Sequence, residues 1–234
     1  AGASYALCMR GVDGSPVVRL GEGGIQELSQ DGKWVLSHLF TTPARLMVCP
    51  TGAGESRRVE VEDLEPRGFA EWFRDGTRIM VGASKPGRGM RCYLASLRGG
   101  SPRPLTPEGI VAGHLSPDER WVLAKDSGGA HVLYPIEGGD PQPARGLDRV
   151  DEVIRWASDG RSVLVRRGTE IPCRVERVEL EAGRRELLRA IAPSDLTGLI
   201  RIRPASFSDD ERSYAYQVNR MTSKLFVSEV PRWP

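Results

Sequence analysis

Short apolar runs recur along this chain at a nearly constant interval, and each follows a polar turn. The runs are Val35-Leu36, Ile79-Met80-Val81, Val122-Leu123-Ala124 and Val163-Leu164-Val165, with Tyr214-Ala215-Tyr216 as a weaker fifth copy. A continuous apolar run of this length is typical of a strand that is covered on both faces. The pattern therefore predicts a buried central β-strand in each copy of a repeat.

The turn before each run contains an aspartate followed by glycine or glutamate. These aspartates, Asp31, Asp75, Asp118, Asp159 and Asp210, are spaced 44, 43, 41 and 51 residues apart, which is near the length of a propeller blade. Because aspartate can bond to its own backbone and glycine tolerates positive φ, we predict a tight structural turn at each. Three residues earlier stands a large apolar side chain, which we expect to pack between neighbouring sheets. These side chains are Leu28, Trp72, Leu115, Trp156 and Phe207.

A second set of turn signals alternates with the first and predicts an outer hairpin in each repeat. Examples are Asp13-Gly14-Ser15-Pro16, Gly99-Gly100-Ser101-Pro102 and Gly138-Gly139-Asp140-Pro141. Two hairpins in each repeat give four strands, the unit of a β-propeller blade. The sequence therefore predicts an all-β fold, a β-propeller of four-stranded blades with five to six repeats, in a single domain over residues 1–234. Counted along the chain, it comprises an outer pair of strands, four complete blades and three last strands that end near residues 227–230.

The amino-acid sequences of the turns resemble those of a known family. Ser29-Gln30-Asp31-Gly32, Ser116-Pro117-Asp118-Glu119 and Ser158-Asp159-Gly160, each followed by an apolar strand, resemble the WD40-like (PD40) repeats of TolB-like propellers. Such repeats also occur in the propellers of prolyl oligopeptidase-like enzymes. The outer hairpins at residues 13–21 and 99–106 are similar to the C-terminal propeller of bacterial serine/threonine protein kinases. This resemblance implies a sensing or scaffolding role, and any kinase activity would reside in a domain outside this chain, which contains no kinase motif.

Charge and hydropathy narrow the range of partners. The 33 basic and 31 acidic residues nearly balance and are interspersed, so we expect no nucleic acid as a partner. The longest apolar stretches, such as residues 79–83, are far shorter than the roughly 20 residues of a membrane span, so we expect no membrane insertion by this chain. No charged and apolar leader opens the sequence. The compartment stays open: extracytoplasmic if the full protein has a membrane span, and cytoplasmic otherwise.

The sequence contains few residues or motifs that indicate catalysis or metal binding. The cysteines fall on the third strand of different repeats, too far apart to form disulfides, and we expect buried, unreactive thiols. They are Cys8, Cys49, Cys92 and Cys173. The three histidines lack the spacing of a metal site, and the GxSxG motif of a hydrolase nucleophile is absent. We therefore expect no catalytic residue, metal or cofactor in this chain.

One constellation suggests a binding site. Four residues before each turn aspartate the side chain is polar in every repeat: Glu27, Glu71, His114, Arg155 and Ser206. Because they alternate with apolar residues on the innermost strand, we expect them to face away from the core, where they could line a central channel. A ring of this kind could bind a small polar ligand or a peptide, and the alternative is that these are solvated channel side chains without a ligand.

The favoured function is a non-catalytic sensor or protein-interaction propeller of a bacterial signalling protein of the serine/threonine kinase type. Two alternatives stay open. One is the gating propeller of an oligopeptidase-like hydrolase, and the other is a free periplasmic TolB-like interaction protein.

Overall fold

The computed structural model describes residues 5–224, apart from the side chains of residues 204 and 205. These residues form twenty β-strands, paired antiparallel throughout, and no helix. They divide into two compact units, of which unit 1 ends at Arg149 and unit 2 begins at Val150.

Unit 1 begins with the N-terminal hairpin, β1 (Ala6–Met9) and β2 (Val18–Glu22), and continues with three four-stranded sheets. Blade 1 comprises β3 (Gly24–Leu28), β4 (Trp34–Leu39), β5 (Arg45–Pro50) and β6 (Arg57–Val59). Blade 2 comprises β7 (Glu65–Trp72), β8 (Arg78–Ser84), β9 (Arg91–Ser96) and β10 (Arg103–Pro104). Blade 3 comprises β11 (Ile110–Leu115), β12 (Trp121–Asp126), β13 (His131–Pro135) and β14 (Gln142–Pro143).

Unit 2 contains a fourth such sheet and a terminal pair of strands. Blade 4 comprises β15 (Asp151–Trp156), β16 (Ser162–Arg167), β17 (Cys173–Glu179) and β18 (Arg185–Ile191). The C-terminal hairpin comprises β19 (Leu199–Phe207) and β20 (Tyr214–Arg220). The prediction of an all-β fold with four-stranded blades is confirmed. The strand predicted near residues 227–230 lies outside the described residues, and a single domain over residues 1–234 remains a prediction.

Hydrophobic patterning explains which strand lies where within a blade. The second strand of each blade carries one of the apolar runs, and Leu36, Met80, Val122 and Leu164 are fully buried in it. The fourth strand is short in blades 1 to 3, where β10 and β14 consist of two residues that include Pro104 and Pro143, whereas β18 of blade 4 has seven residues. Because proline has no N–H to donate, it suits the exposed edge of a sheet and discourages further pairing there.

Neighbouring sheets pack face to face through apolar side chains. In unit 1, Leu36 and Val48 of blade 1 share a core cluster with Ile79 and Val81 of blade 2. In unit 2, Leu164 and Val175 of blade 4 pack in the same way with residues of the C-terminal hairpin that include Phe207. Packing of these repeated apolar faces thus holds consecutive sheets together, as the repeat pattern predicted.

Two side chains differ from expectation. Leu28 is 47% exposed, whereas the equivalent Trp156 and Phe207 are buried. The equivalent Trp72 packs against the preceding blade, but before blade 1 the described residues of unit 1 provide only the N-terminal hairpin, which has two strands. Cys8 is exposed, not buried as predicted, because its neighbour Leu7 occupies the face of β1 that packs against blade 1 and Cys8 lies on the opposite face.

Candidate functional site

The predicted polar positions occupy one register on the innermost strands. Each pairs with a residue of the second strand of its own sheet, as Glu27 with Leu36, Glu71 with Met80, His114 with Leu123, Arg155 with Leu164 and Ser206 with Ala215. Unit 1 contains the first three of these polar residues and unit 2 contains the last two. Glu27, Glu71, His114 and Arg155 are half-buried, and Ser206 is exposed.

In unit 1, Glu71 joins blade 2 to blade 3. Its Oε2 accepts the backbone N–H of Leu115 at 2.7 Å, and its Oε1 lies 2.9 Å from His114 Nδ1. Both oxygens of one carboxylate are therefore held by two consecutive residues of the next inner strand. Hydrogen bonds to an ionised group are stronger than neutral ones, so this contact is a firm tie between sheets.

Glu27 makes the equivalent contact one blade earlier. Its Oε2 accepts the backbone N–H of Trp72 at 2.5 Å, which ties blade 1 to blade 2. Trp72 and Leu115 occupy the same place in their repeats, three residues before the turn aspartate. The two glutamates therefore repeat one device, a carboxylate that reaches from each inner strand to the next.

In unit 2, Arg155 makes a similar contact between sheets, but as a hydrogen-bond donor. Its guanidinium donates to the carbonyl oxygen of Phe207, and its Nη2 lies 2.6 Å from Asp209 Oδ1. The acceptor Phe207 again stands three residues before a turn aspartate. Glu27 and Glu71 accept a backbone N–H from the next sheet, whereas Arg155 donates to a backbone carbonyl. This bond joins blade 4 to the C-terminal hairpin.

The charge around His114 is set by carboxylates. Burial lowers the pKa of the imidazole, but the charge of Glu71, its hydrogen bond and the charge of Glu27 outweigh this effect, so the pKa of His114 lies above its usual value of 6.5. Protonation therefore strengthens the contact between His114 and Glu71. Alternation along the strand predicted these side chains to point away from the core, but it gave no sign that they reach the adjacent blade.

The turn aspartates hold the hairpin between the first and second strands of each repeat. In three repeats a serine two residues earlier takes part. Ser116 Oγ donates to Asp118 Oδ1 at 2.6 Å and accepts the N–H of Trp121 at 3.0 Å, and Asp118 Oδ1 also accepts the N–H of Arg120 at 3.1 Å. The same three bonds recur around Asp31 with Ser29 and around Asp210 with Ser208.

Where the serine is replaced, the aspartate bonds to the backbone directly. Phe73 and Ala157 stand at that position in blades 2 and 4. Asp159 Oδ1 accepts the N–H groups of Arg161 and Ser162 at 2.8 and 2.9 Å, and Asp75 does the same with the two equivalent residues of blade 2. The serine hydroxyl is therefore a relay between carboxylate and backbone, and its presence can be read from the sequence.

Two turns contain glutamate where the others contain glycine. Gly32, Gly76 and Gly160 adopt φ of 69, 64 and 65°, and Glu119 and Glu211 adopt 57 and 58°. A glutamate there carries the strain of left-handed backbone, but each carboxylate contacts the preceding blade. Glu119 accepts the N–H of Arg74, and Glu211 accepts from the guanidinium of Arg177.

The remaining candidates for chemistry among the described residues are metal-ligating side chains and cysteines. Within residues 5–224, no group of three histidine, cysteine or acidic side chains could hold a metal ion. Cys49, Cys92 and Cys173 are buried as predicted, and burial raises the pKa of Cys92 to about 12. The part of the chain that the structure describes also contains no helix long and apolar enough to cross a membrane.

The architecture defines a β-propeller, and its similarity to known structures refines this assignment. No protein-family model matches the sequence, and no curated protein matches it. TolB from Acinetobacter baumannii aligns with a TM-score of 0.67 and 14% identity over 91% of this chain and 59% of its own. A putative TolB from Agrobacterium tumefaciens gives 0.62 and 14% over 88% and 81%. The chain therefore has a TolB-like β-propeller fold, and it spans 59% of the length of the Acinetobacter protein.

An enzyme structure also shares the fold. A prolyl endopeptidase aligns with a TM-score of 0.56 and 14% identity, over 94% of this chain and 36% of its own. At these identities the similarity establishes the fold alone, because propellers of one architecture serve unrelated functions.

Proposed function

We propose that this chain is a non-catalytic interaction or sensor propeller of a bacterial signalling protein of the serine/threonine kinase type. The observation that carries the proposal is the use made of the inner-strand side chains. Both oxygens of Glu71 bond to residues 114 and 115, and Arg155 is bonded to a carbonyl and a carboxylate. Groups held in this way stiffen a scaffold, whereas a general acid or base must exchange its proton with a substrate.

The same inner positions are the proposed contact for a protein or a small polar ligand. Ser206 is exposed on β19, next to the tie that Arg155 makes to Phe207. Carbonyl and carboxylate oxygens can each accept more than one hydrogen bond. The carboxylates of Glu27 and Glu71 can thus accept from a ligand without breaking the ties, and Arg155 keeps N–H groups beyond the three that are bonded. His114 and Ser206 are the other proposed contacts.

The two alternatives rest on the structural similarities. The prolyl endopeptidase similarity favours a gating propeller that belongs to a hydrolase. The two TolB similarities favour a free periplasmic interaction protein. The coding sequence on either side of these 234 residues discriminates between the three: a kinase domain supports the sensor, a GxSxG hydrolase domain the gate, and a secretion signal the periplasmic protein.

A thermal-shift screen tests binding directly. Peptides, sugars, nucleotides and metal ions are added to the unsubstituted chain and to Ser206→Ala and Arg155→Ala, each compared with its own ligand-free melting temperature. Ser158→Ala, an exposed turn residue, is the matched control. A probe that stabilises the control but not the two inner-strand variants supports the proposal, and chemical turnover of any probe contradicts a non-catalytic role.

A further inference from the structure

Blade 4 of unit 2 contains a cavity of about 550 Å³ that is lined almost entirely by charged side chains. Four of its lining residues are arginines, namely Arg161, Arg177, Arg184 and Arg185, and the rest are Ser162 and three carboxylates. A volume in this range suits a small molecule. None of the five inner-strand candidates lines it, so this site is separate from the one proposed above.

Two lining residues of this cavity, Ser162 and Arg177, differ in kind from their counterparts in the other blades. Three residues after the turn aspartate stand Trp34 in blade 1 and Trp121 in blade 3, but Ser162 in blade 4. Blade 2 has Arg78 there, whose guanidinium lies over the Phe73 ring, so among the four blades the small side chain occurs in blade 4. In blade 1, the Trp34 ring packs on the core and beneath the guanidinium of Arg57. A serine leaves the volume of that indole unfilled.

The second departure changes the chemistry of the same face. The third-strand residue that pairs with the buried second-strand centre is Val48, Leu94 and Leu133 in blades 1, 2 and 3, but Arg177 in blade 4. The face that is apolar in three blades is therefore guanidinium-lined in the fourth. Both changes open a polar space in a single blade.

The hydrogen bonds show which cations remain available in the cavity. Arg177 donates to Asp159 and Glu211 through its two terminal nitrogens, so its charge is already paired with two carboxylates. Arg184 binds one oxygen of Glu179 through Nε and Nη2, and its side chain is 80% exposed. Arg161 has no ion pair within the described residues, and its backbone N–H alone bonds to Asp159.

The three carboxylates that line the cavity also divide into paired and available groups. Asp159 is occupied by the turn N–H groups and Arg177, and Glu179 by Arg184. Glu186 lines the cavity with no ion pair among residues 5–224. The available groups are thus the guanidinium of Arg161, the open side of Arg184 and the carboxylate of Glu186.

We propose that this cavity binds a small molecule that carries both an oxyanion, as carboxylate or phosphate, and an ammonium group. Guanidinium groups recognise planar and tetrahedral oxyanions through paired hydrogen bonds. Arg161 and Arg184 supply these donors, and Glu186 accepts from the ammonium group. The inference does not depend on the sensor role, since it rests on unit 2 alone.

Titration calorimetry at low ionic strength tests the proposal with phosphoethanolamine and 4-aminobutanoate, which separate the phosphate from the carboxylate source. We expect at least one probe to bind, and Arg161→Gln, Arg184→Gln and Glu186→Gln each to weaken it about tenfold. The matched control is Arg212→Gln, since Arg212 stands at the equivalent place of the next turn, is exposed and does not line the cavity. It should bind as the unsubstituted chain does.

Ser162→Trp provides an independent variant, because it restores the residue found in blades 1 and 3. We expect it to abolish binding and to leave the far-UV circular dichroism spectrum unchanged; if it does not fold, the arginine variants decide alone. The proposal is overturned if neither probe binds at millimolar concentration. It is also overturned if Arg161→Gln binds as well as Arg212→Gln.

Discussion

Glu71 in β7 accepts the backbone N–H of Leu115 in β11 at 2.7 Å, so one side chain joins two consecutive blades through residues 44 positions apart. The residue before Leu115 is His114, which contacts the other oxygen of the same carboxylate. Stability at this seam should therefore respond to the charge of one imidazole.

The pH dependence follows from the raised pKa of His114. A group whose pKa is higher in the folded state stabilises the fold when protonated, so its contribution is complete below about pH 6.5 and is lost as the pH rises through the folded-state value. We expect the unfolding free energy of the unsubstituted chain, relative to that of His114→Gln, to fall as the pH rises above 6.5. Urea denaturation at a series of pH values measures this.

The difference between the two proteins is the required readout because another histidine acts in the opposite direction. Burial lowers the pKa of His38, so that residue favours the fold as the pH rises. If the gap between the unsubstituted chain and His114→Gln is the same at pH 5.5 and pH 8.5, the charged contact with Glu71 is not formed in solution.

The serine relay in the turns predicts unequal effects of two similar substitutions. Ser116→Ala removes the hydroxyl that bonds both Asp118 and the N–H of Trp121. It should lower the unfolding free energy by about 1–2 kcal/mol, because the half-buried N–H of Trp121 loses its acceptor and the turn loses two hydrogen bonds. Ser158→Ala removes an exposed hydroxyl and should change it by less than about 0.5 kcal/mol. Equal effects in chemical denaturation would argue against the relay.

Glu119 offers a comparison of strain against contact. Glu119→Ala keeps a side chain in left-handed backbone and removes the carboxylate that binds Arg74, so we expect a loss of about 1–2 kcal/mol. Glu119→Gly loses the same contact but relieves about 1 kcal/mol of strain. The expected order of melting temperatures is unsubstituted, then glycine, then alanine. An alanine variant at least as stable as the unsubstituted chain would show that the contact is not formed.

Thiol reactivity provides a check on burial. Cys8 is exposed, whereas burial raises the pKa of Cys92 to about 12. At pH 8 we expect iodoacetamide to label Cys8 in the native protein, and to reach Cys49, Cys92 and Cys173 only after unfolding in urea, as read by mass spectrometry of peptides. Native labelling of Cys92 at the rate of Cys8 would contradict the packing of blade 2 against blade 3.

The sequence predicted the blades well because the relevant information is local and repeated. Each buried second strand is an apolar run, and each turn carries its own aspartate. Leu28 shows the limit of this reasoning. It is apolar like the equivalent residues of the other repeats, but its exposure depends on which strands precede blade 1. Neighbours in space, unlike turns, are not marked in the local pattern.

The polar side chains of the candidate site were found by alternation, but their partners were not. Nothing within the segment around Glu71 indicates that its carboxylate binds a residue 44 positions later. The cavity of blade 4 was missed for a different reason. The spacing after the turn aspartate aligns Ser162 with Trp34 and Trp121, but the sequence does not show that the small side chain lies beside an open, charged volume.

The most direct test of the account is a double-mutant cycle on Glu71 and His114, measured by urea denaturation at pH 6. Glu71→Gln should lower the unfolding free energy by about 2 kcal/mol, while Glu60→Gln, whose exposed ion pair with Arg58 spans 3.6 Å, should change it by less than about 0.5 kcal/mol. We predict that the effects of Glu71→Gln and His114→Gln are not additive. The loss of unfolding free energy in the double variant should differ from the sum of the two single losses by about 1 kcal/mol. Additive effects, or a Glu71→Gln variant as stable as Glu60→Gln, would contradict the claim that inner-strand side chains tie the blades together.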